Sequence, residues 1–383
     1  MEYVFVSSWS HGDETGGIRQ YSFDSRSGEM KYIRTFNEEK SCGVSYIDGM
    51  RGIMYVLNES DNLGTMRVGG GGEILTYRLD RETGGVELIA ATPTFSPNPC
   101  QFSLDATGNY MVVANHGGRS HVTKIRKDAH GRYRPEVLFD DGAVELFKIN
   151  NDGSVGELLD VVIHTGSGPK PRQISPHPHS AARSPSGKWF AVCDKGTDEI
   201  SFYQINREQN RLVLCPNKAS APPGFMPRYC LFHPTKPFFY HNGEGSLELA
   251  AYRYDEEGNL EHIGTYDARM GDTPCVEKDP EEQQGLCMDR GGQYLYDVLR
   301  GPNQVAVFRV DQENGALTLI QNQTINHAWP RGALLSPDGR FLLVTCLKGE
   351  KIVVLRVRED GTLVPTGFEY DQPCAAYVSF WSI

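Results

Sequence analysis

The stretch MPRYCLFHPTKPFFYHNGEG, Met226 to Gly245, holds two short apolar runs folded about a Pro-Thr-Lys-Pro turn. Arg228 stands before the first run and Glu244 after the second, each eight residues from Lys236 in the turn. Antiparallel strands leave a turn side by side, so residues at equal offsets lie together at the open end of the hairpin. Folding of this segment alone therefore sets an Arg beside a Glu.

The same plan recurs along the chain. PCQFSLDATGNYMVVAN (Pro99 to Asn115), HSAARSPSGKWFAVCD (His179 to Asp194), GLCMDRGGQYLYDVL (Gly285 to Leu299) and PRGALLSPDGRFLLVTC (Pro330 to Cys346) share its parts. Each has an apolar strand, a Pro/Asp/Gly turn, a bulky aromatic and a second strand rich in Val, Leu and Tyr. A weaker copy, CGVSYIDGMRGIMYVLN (Cys42 to Asn58), brings the internal units to six. After each hairpin comes another alternating run with a polar Gly turn, as in NQVAVFRVDQENGALTL and EKIVVLRVREDGTLVPT. Alternation at period two, bounded by Gly, Asn and Asp, marks strands and hairpins.

Four-stranded units recurring every 45 to 60 residues or so, with no long amphipathic helical pattern between them, are blades of a β-propeller. The C-terminus stops after one strand, CAAYVSFW, and the N-terminus opens on YVFVSS and GGIRQYSFDSRSGEMKYI. Joined, these strands make a seventh, composite blade that closes the ring and leaves no open sheet edge. The expected fold is all-β: one seven-bladed propeller domain over residues 1–383, four antiparallel strands per blade. Two segments interrupt the period, Arg119 to Asp141 and Asp267 to Gln284, and each reads as surface decoration on a rim, with a lid as the alternative.

Composition narrows the function classes. A formal net charge of −11 disfavours nucleic acid and anionic membranes as partners, because each phosphate contact needs a cation and the overall field repels polyanions. Nine cysteines are scattered without a CxxC pair, mostly inside apolar runs, which reads as buried reduced thiols rather than a disulfide framework or a zinc site. The first residues, MEYVFVSSWS, lack the basic, apolar and small-residue succession of a secretory leader, and no segment approaches the roughly 18 uninterrupted apolar residues of a membrane helix. The expectation is a cytoplasmic protein with a small anionic ligand and no metal or other cofactor; its oligomeric state is left open.

The repeat gives positions a geometric meaning. Eight residues before their turn glycines stand His179 (Gly187) and Arg331 (Gly339), and eight after Gly292 stands Arg300. The first strand of each propeller blade lines the central channel, so equivalent positions ring one mouth. His179, Arg228, Glu244, Arg300 and Arg331 are thus expected to converge there. Taken singly, a surface Arg is usually solvated, a His is usually structural, and an exposed Arg–Glu pair contributes under about 1 kcal/mol. Convergence changes the reading, since several guanidinium groups around one mouth repel unless an anion joins them.

Weaker candidates surround these. GSGPKPRQISPHPHS (Gly166 to Ser180) places Lys170, Arg172 and His177 just upstream of His179, as a substrate-covering loop or a stiff connector. NHGG (Asn115 to Gly118) ends a strand at the same rim and offers Asn115 and His116 as pocket residues. DPEEQQG (Asp279 to Gly285) lacks the spacing of a calcium loop and reads as a solvated turn. No G-x-S-x-G elbow, P-loop, H-E-x-x-H or strand–helix G-x-G-x-x-G occurs, and the Gly69–Gly72 run precedes a strand rather than a helix.

The chain resembles the seven-bladed propeller lactonases, which include propeller-type 6-phosphogluconolactonases and fungal carboxy-cis,cis-muconate cyclases. The resemblance spans nearly all of it and rests on VSSWSHGDETGGIRQYSFDSRSGEM, GSGPKPRQISPHPHSAARSPSGKWFAVCDKGTDEISFYQI, MPRYCLFHPTKPFFYHNGE and PRGALLSPDGRFLLVTC. It implies metal-independent action on a small anionic lactone or on the acid that cyclises to one. Carried over, the family's catalytic His falls on His179, its two Arg on Arg228 and Arg300, and its Glu on Glu244. Arg331, His177, Asn115, His116 and Lys170 stand as substrate-binding candidates. The family's N-R-G run is here Leu-Arg-Gly (Leu299 to Gly301), and PCVEKDPEEQQGLC before it is unusual, which points to a different pocket floor. Four readings remain: lactone hydrolase, lactonising cyclase, a lyase or epimerase on a sugar acid or aromatic catabolite, and a propeller that only binds ligand or protein, since fold does not fix function.

Overall fold

Period-two alternation becomes seven sheets in the computed structural model, which describes residues 2–10, 15–62, 69–216, 219–271 and 283–383. Five sheets pair consecutive strands in the order they occur, for example Pro227–Phe232, Phe238–Gly243, Glu248–Tyr254 and Leu260–Asp267, and a sixth does so around an inserted hairpin, with Tyr110–Asn115 pairing Ala143–Ile149. The seventh joins the two ends of the chain: Ala375–Ser382 pairs antiparallel with Glu2–Ser8, from Glu2 opposite Ser382 to Ser8 opposite Ala375. Gly17–Phe23 and Met30–Phe36 complete that composite blade. The first strand of each blade packs against the first strand of the next, from Cys42–Asp48 round to Ala375–Ser382 and back, so the ring closes.

The core lies between blades. Seven apolar clusters form, one at each blade–blade interface; one joins Trp189 and Phe202 to Phe232 and Phe239, and another joins Tyr296 and Val298 to Leu342 and Val344. Second strands such as Phe238–Gly243 and Phe341–Cys346 are buried along their whole length because a neighbouring blade covers each face. This is why they read as continuous apolar runs, whereas outer strands such as Leu363–Asp371 alternate. Glycine serves the tight turns between first and second strands: Gly187, Gly292 and Gly339 have φ of 73°, 71° and 74°. Lys236 stands at that place in the opening hairpin, where His233 Nδ1 accepts the Thr235 and Lys236 N–H groups at 3.2 and 3.1 Å.

Residues 119–141 fold as a two-stranded hairpin, His121–Lys127 with Tyr133–Phe139, whose first strand is exposed throughout. The second interruption lies mostly outside the described residues, but its end is inner strand: Gln283 and Gln284 are buried at the start of Gln283–Met288. The solvated turn expected over Asp279 to Gly285 is corrected for these last residues, whose amides a neighbouring blade covers; Asp279 to Glu282 lie outside the described residues.

Candidate active site at the channel mouth

Two rings of side chains follow from the strand register. Pro99, Pro227, Gln283, Pro330 and Cys42, at the head of inner strands, pair with Asn115, Gly243, Leu299, Cys346 and Asn58, the last residues of second strands; Pro178 bridges to Asp194 in the same way. In five of these blades the register slips just after that pair. Such a bulge re-aims the next side chain. The residue after the head forms the first ring: Cys100, His179, Arg228, Gln284 and Arg331. The residue after the second strand forms the other: Trp9, Glu59, His116, Lys195, Glu244 and Arg300. All eleven line one cavity of about 500 Å³, together with Arg119, Asp61, Trp329 and others.

Glu244 is the electrostatic centre of one wall. Its side chain is buried, with Arg228 Nε 2.6 Å from Oε2, Lys195 Nζ 2.7 Å from Oε1 and an Arg172 guanidinium nitrogen 3.5 Å from Oε1. Arg228 also donates to the Gln284 carbonyl at 3.0 Å and lies 4.7 Å from the Tyr229 ring centre. Beneath this wall Asn242 accepts the Tyr229 N–H at 2.9 Å and donates to Asp297 at 2.8 Å, and Gln283 joins Asp297 (2.6 Å) to the Gly243 N–H (2.8 Å). These buried amides tie down the bulge that carries Arg228 and the strand end that carries Glu244. Burial lifts the Asp297 carboxyl to about 7.

The opposite wall carries a second acid–base pair. Arg331 lies 3.3 Å from Glu59, donates to the Ala376 carbonyl at 3.2 Å, and stacks 3.9 Å from the Trp9 ring centre. Burial raises the Glu59 carboxyl, against the lowering by Arg331 and Arg228. Arg300 stacks 4.0 Å from the Trp329 ring centre. Indole faces hold flat guanidinium groups with little loss of their outward N–H groups.

Three imidazoles meet at the remaining side. His116 stacks on His177 with ring centres 4.1 Å apart and meets His179 edge-on at 5.8 Å. His177 Nδ1–H donates to the His116 carbonyl at 2.8 Å, and Asp194 accepts the His177 N–H at 2.7 Å. His179 is buried, and its Nδ1 lacks a hydrogen-bond partner among the described residues. Burial, then Arg228, Lys195 and His116, hold its pKa well below the usual imidazole range. It is therefore a neutral ring in the wall of the cavity. Among the described residues no group of three or more His, Cys, Asp or Glu is placed to hold a metal ion. The eight described cysteines are free and buried, and the ninth, Cys275, lies outside the described residues.

Comparison with known proteins places this geometry in a family. A family model described as "Lactonase, 7-bladed beta-propeller" matches residues 3–380. The chain belongs to the seven-bladed propeller lactonase family. It is 26% identical over 326 residues to a 6-phosphogluconolactonase of Bacillus subtilis, covering 84% of this chain and 82% of that one. It is 25% identical over 358 residues to a 6-phosphogluconolactonase of Formosa agariphila, covering 92% of both. The solved structure of a periplasmic gluconolactonase from Pseudomonas aeruginosa superposes with a TM-score of 0.82 over all of both chains at 23% identity, a likeness of fold.

In this family member the cavity gathers His179, Arg228, Glu244, Arg300, Arg331 and His116. Three other sequence candidates are not at its wall. Asn115 is the last in-strand residue, fully buried between blades, with Nδ2 3.5 Å from the Ala143 carbonyl; the wall position is the next residue, His116. His177 sits behind His116, as its stacking partner. Lys170 is exposed and bonds the Gly245 carbonyl at 2.5 Å, pinning its own loop to the hairpin end. That loop is a fixed connector: buried Gln173 donates to the Lys195 carbonyl at 2.9 Å, and Arg172 reaches down to Glu244.

Sequence reasoning missed Lys195, Glu59, Trp9, Gln284 and Trp329. Lys195 was within reach, since it lies eight residues after Gly187, the count that found Arg300. Glu59 lies seven after Gly52, and Trp9 follows a strand whose inner partner is at the far end of the chain.

Proposed function

We propose that this propeller hydrolyses a small anionic lactone in the mouth cavity. The observation that carries the reading is a neutral His179 in the wall of a cavity that also includes Arg228, Lys195 and Arg300. The named activities of the relatives support it. The lactone's carboxylate or phosphate sits on the guanidinium groups, which bind such anions by paired N–H contacts. The His179 imidazole takes a proton from water as the water oxygen bonds to the lactone carbonyl carbon. The carbonyl oxygen becomes an oxyanion, and a guanidinium aimed at it in a partly dry pocket stabilises that charge. When the oxyanion collapses, the ring C–O bond breaks and His179 returns the proton to the leaving alkoxide. Water and lactone become one hydroxy acid, with nothing oxidised or reduced.

Glu244 serves this scheme as a clamp rather than a base. Both its oxygens are engaged by cations, and its role is to hold Arg228 and Lys195 in place. The base is the neutral His179 ring on the cavity wall. An anion bound on Arg228 and Lys195 cancels two of the causes that depress His179, so the substrate itself raises the ring's proton affinity. We place the reaction in the cytoplasm, a reading that the free, buried cysteines favour. The test is acid release in a pH-stat from 6-phosphoglucono-δ-lactone, glucono-δ-lactone and a muconate-derived lactone. Rates at the uncatalysed background for all three would overturn it.

A further inference from the structure

Gln284 holds the ring position that His179, Arg228 and Arg331 hold in other blades, and its side chain forms part of the cavity wall. It is 1% exposed, and its Nε2 has no hydrogen-bond partner among the described residues. Its neighbour Gln283 shows the contrast, with Oε1 accepting the Gly243 N–H at 2.8 Å and Nε2 donating to Asp297 at 2.6 Å. The backbone beneath Gln284 is fixed. Its carbonyl accepts from Arg228 at 3.0 Å and Asn242 at 3.3 Å, and a Cβ on Gly285 would come within 2.8 Å of the Arg331 carbonyl oxygen. A buried N–H left unmade costs about 1–3 kcal/mol, and the cost ends when a ligand brings an acceptor.

We propose that Gln284 is a specificity-determining residue that donates its side-chain N–H to an uncharged oxygen of the ligand, a hydroxyl, ring or carbonyl oxygen. The proposal rests on the reading of this cavity as the lactone site. A carboxamide adds no charge, so among these cations it does nothing for anion grip. What it does is separate C–OH from C–H at one position, which selects polyhydroxylated lactones and acids over simple aliphatic ones. A site built to bond a substrate hydroxyl rejects the analogue lacking it, because the buried donor is then left unpaired.

The test compares wild type with Gln284→Leu, which keeps the volume and removes the donor, on two lactones: glucono-δ-lactone and unsubstituted δ-valerolactone. Calorimetric binding of gluconate and of 5-hydroxypentanoate is measured alongside. The expected result is a fall of about 5- to 150-fold in the ratio of kcat/KM for the hydroxylated over the plain lactone, the worth of one such hydrogen bond. Gluconate affinity falls in parallel and the unfolding temperature does not drop. A ratio unchanged within twofold overturns the proposal. If wild type turns over neither lactone, the hydrolase reading fails while gluconate binding still judges Gln284: selective loss in the variant supports it, and absence of binding to wild type overturns it.

Discussion

Replacing Glu244 by Gln removes one charge at nearly constant volume and leaves three cations facing a neutral amide. The carboxylate that disappears had faced an Arg at 2.6 Å, a Lys at 2.7 Å and a second Arg at 3.5 Å, with Glu244 and its two nearer partners almost wholly buried. Unit charges about 4 Å apart attract by roughly 4 kcal/mol at the effective dielectric of protein sites. Desolvation offsets much of that, and removing one partner of a buried pair typically costs about 3–5 kcal/mol. At roughly 2 °C per kcal/mol for a large chain, the unfolding temperature should fall by about 5–10 °C. The uncovered cations should then bind an added anion, and phosphate at a hundred times its Kd would restore about 2.7 kcal/mol. Scanning calorimetry of wild type and Glu244→Gln, with and without phosphate at constant ionic strength, measures both effects. The clamp reading is refuted if the variant unfolds within about 1 °C of wild type, or if phosphate raises both proteins equally.

Other outcomes follow from the same geometry. The acid limb of kcat/KM should fall below pH 6.5, because free His179 protonates only well below its ordinary range, and the limb of kcat should lie at higher pH once the substrate anion offsets Arg228 and Lys195; coincident limbs in a pH–rate series would contradict this. Glu145 is fully buried, its Oε2 and the Asn115 Oδ1 both lack donors among the described residues, and burial lifts its carboxyl to about 7 from an ordinary 4.5. Between those values the folded chain holds a proton that the unfolded chain has released, so stability should decline by about 3 kcal/mol as pH rises through that window. Glu145→Gln supplies an N–H in place of the proton; denaturant unfolding should show the variant more stable than wild type at pH 8, with a flatter pH slope. Lys170→Ala should leave kcat/KM within about threefold of wild type, since its ammonium group bonds the Gly245 carbonyl rather than facing the cavity; a loss of a hundredfold in a steady-state assay would return it to the site.

The propeller was legible because each blade repeats its alternation and its turn, and a repeat converts one hairpin's register into a rule for all. That rule groups His179, Arg228, Glu244, Arg300 and Arg331, which line one cavity. It failed where the geometry depends on more than counting. Asn115 and His116 differ by one position, and only the register shows that the strand ends on Asn115, leaving His116 to turn into the cavity. Gln284 follows a run of carboxylates, so local polarity suggested solvent, whereas the inner strand places it under a neighbouring blade. Glu59 and Trp9 are set by the pairing of distant segments, which no local pattern announces.

The charge of the cavity also looks different once its acids are counted. Arginines around one mouth, read alone, demand an anion to relieve their repulsion. Among the described residues the wall includes Glu59, Asp61 and Glu244 beside Arg119, Lys195, Arg228, Arg300 and Arg331. The protein therefore holds guanidinium groups with its own buried acids, Arg228 on Glu244 and Arg331 on Glu59. In the proposed mechanism a neutral lactone would leave in place the field of Arg228 and Lys195 that keeps His179 a weak base. Ligand charge would then couple binding to the basicity of His179, and a neutral substrate should lose in kcat as well as in KM.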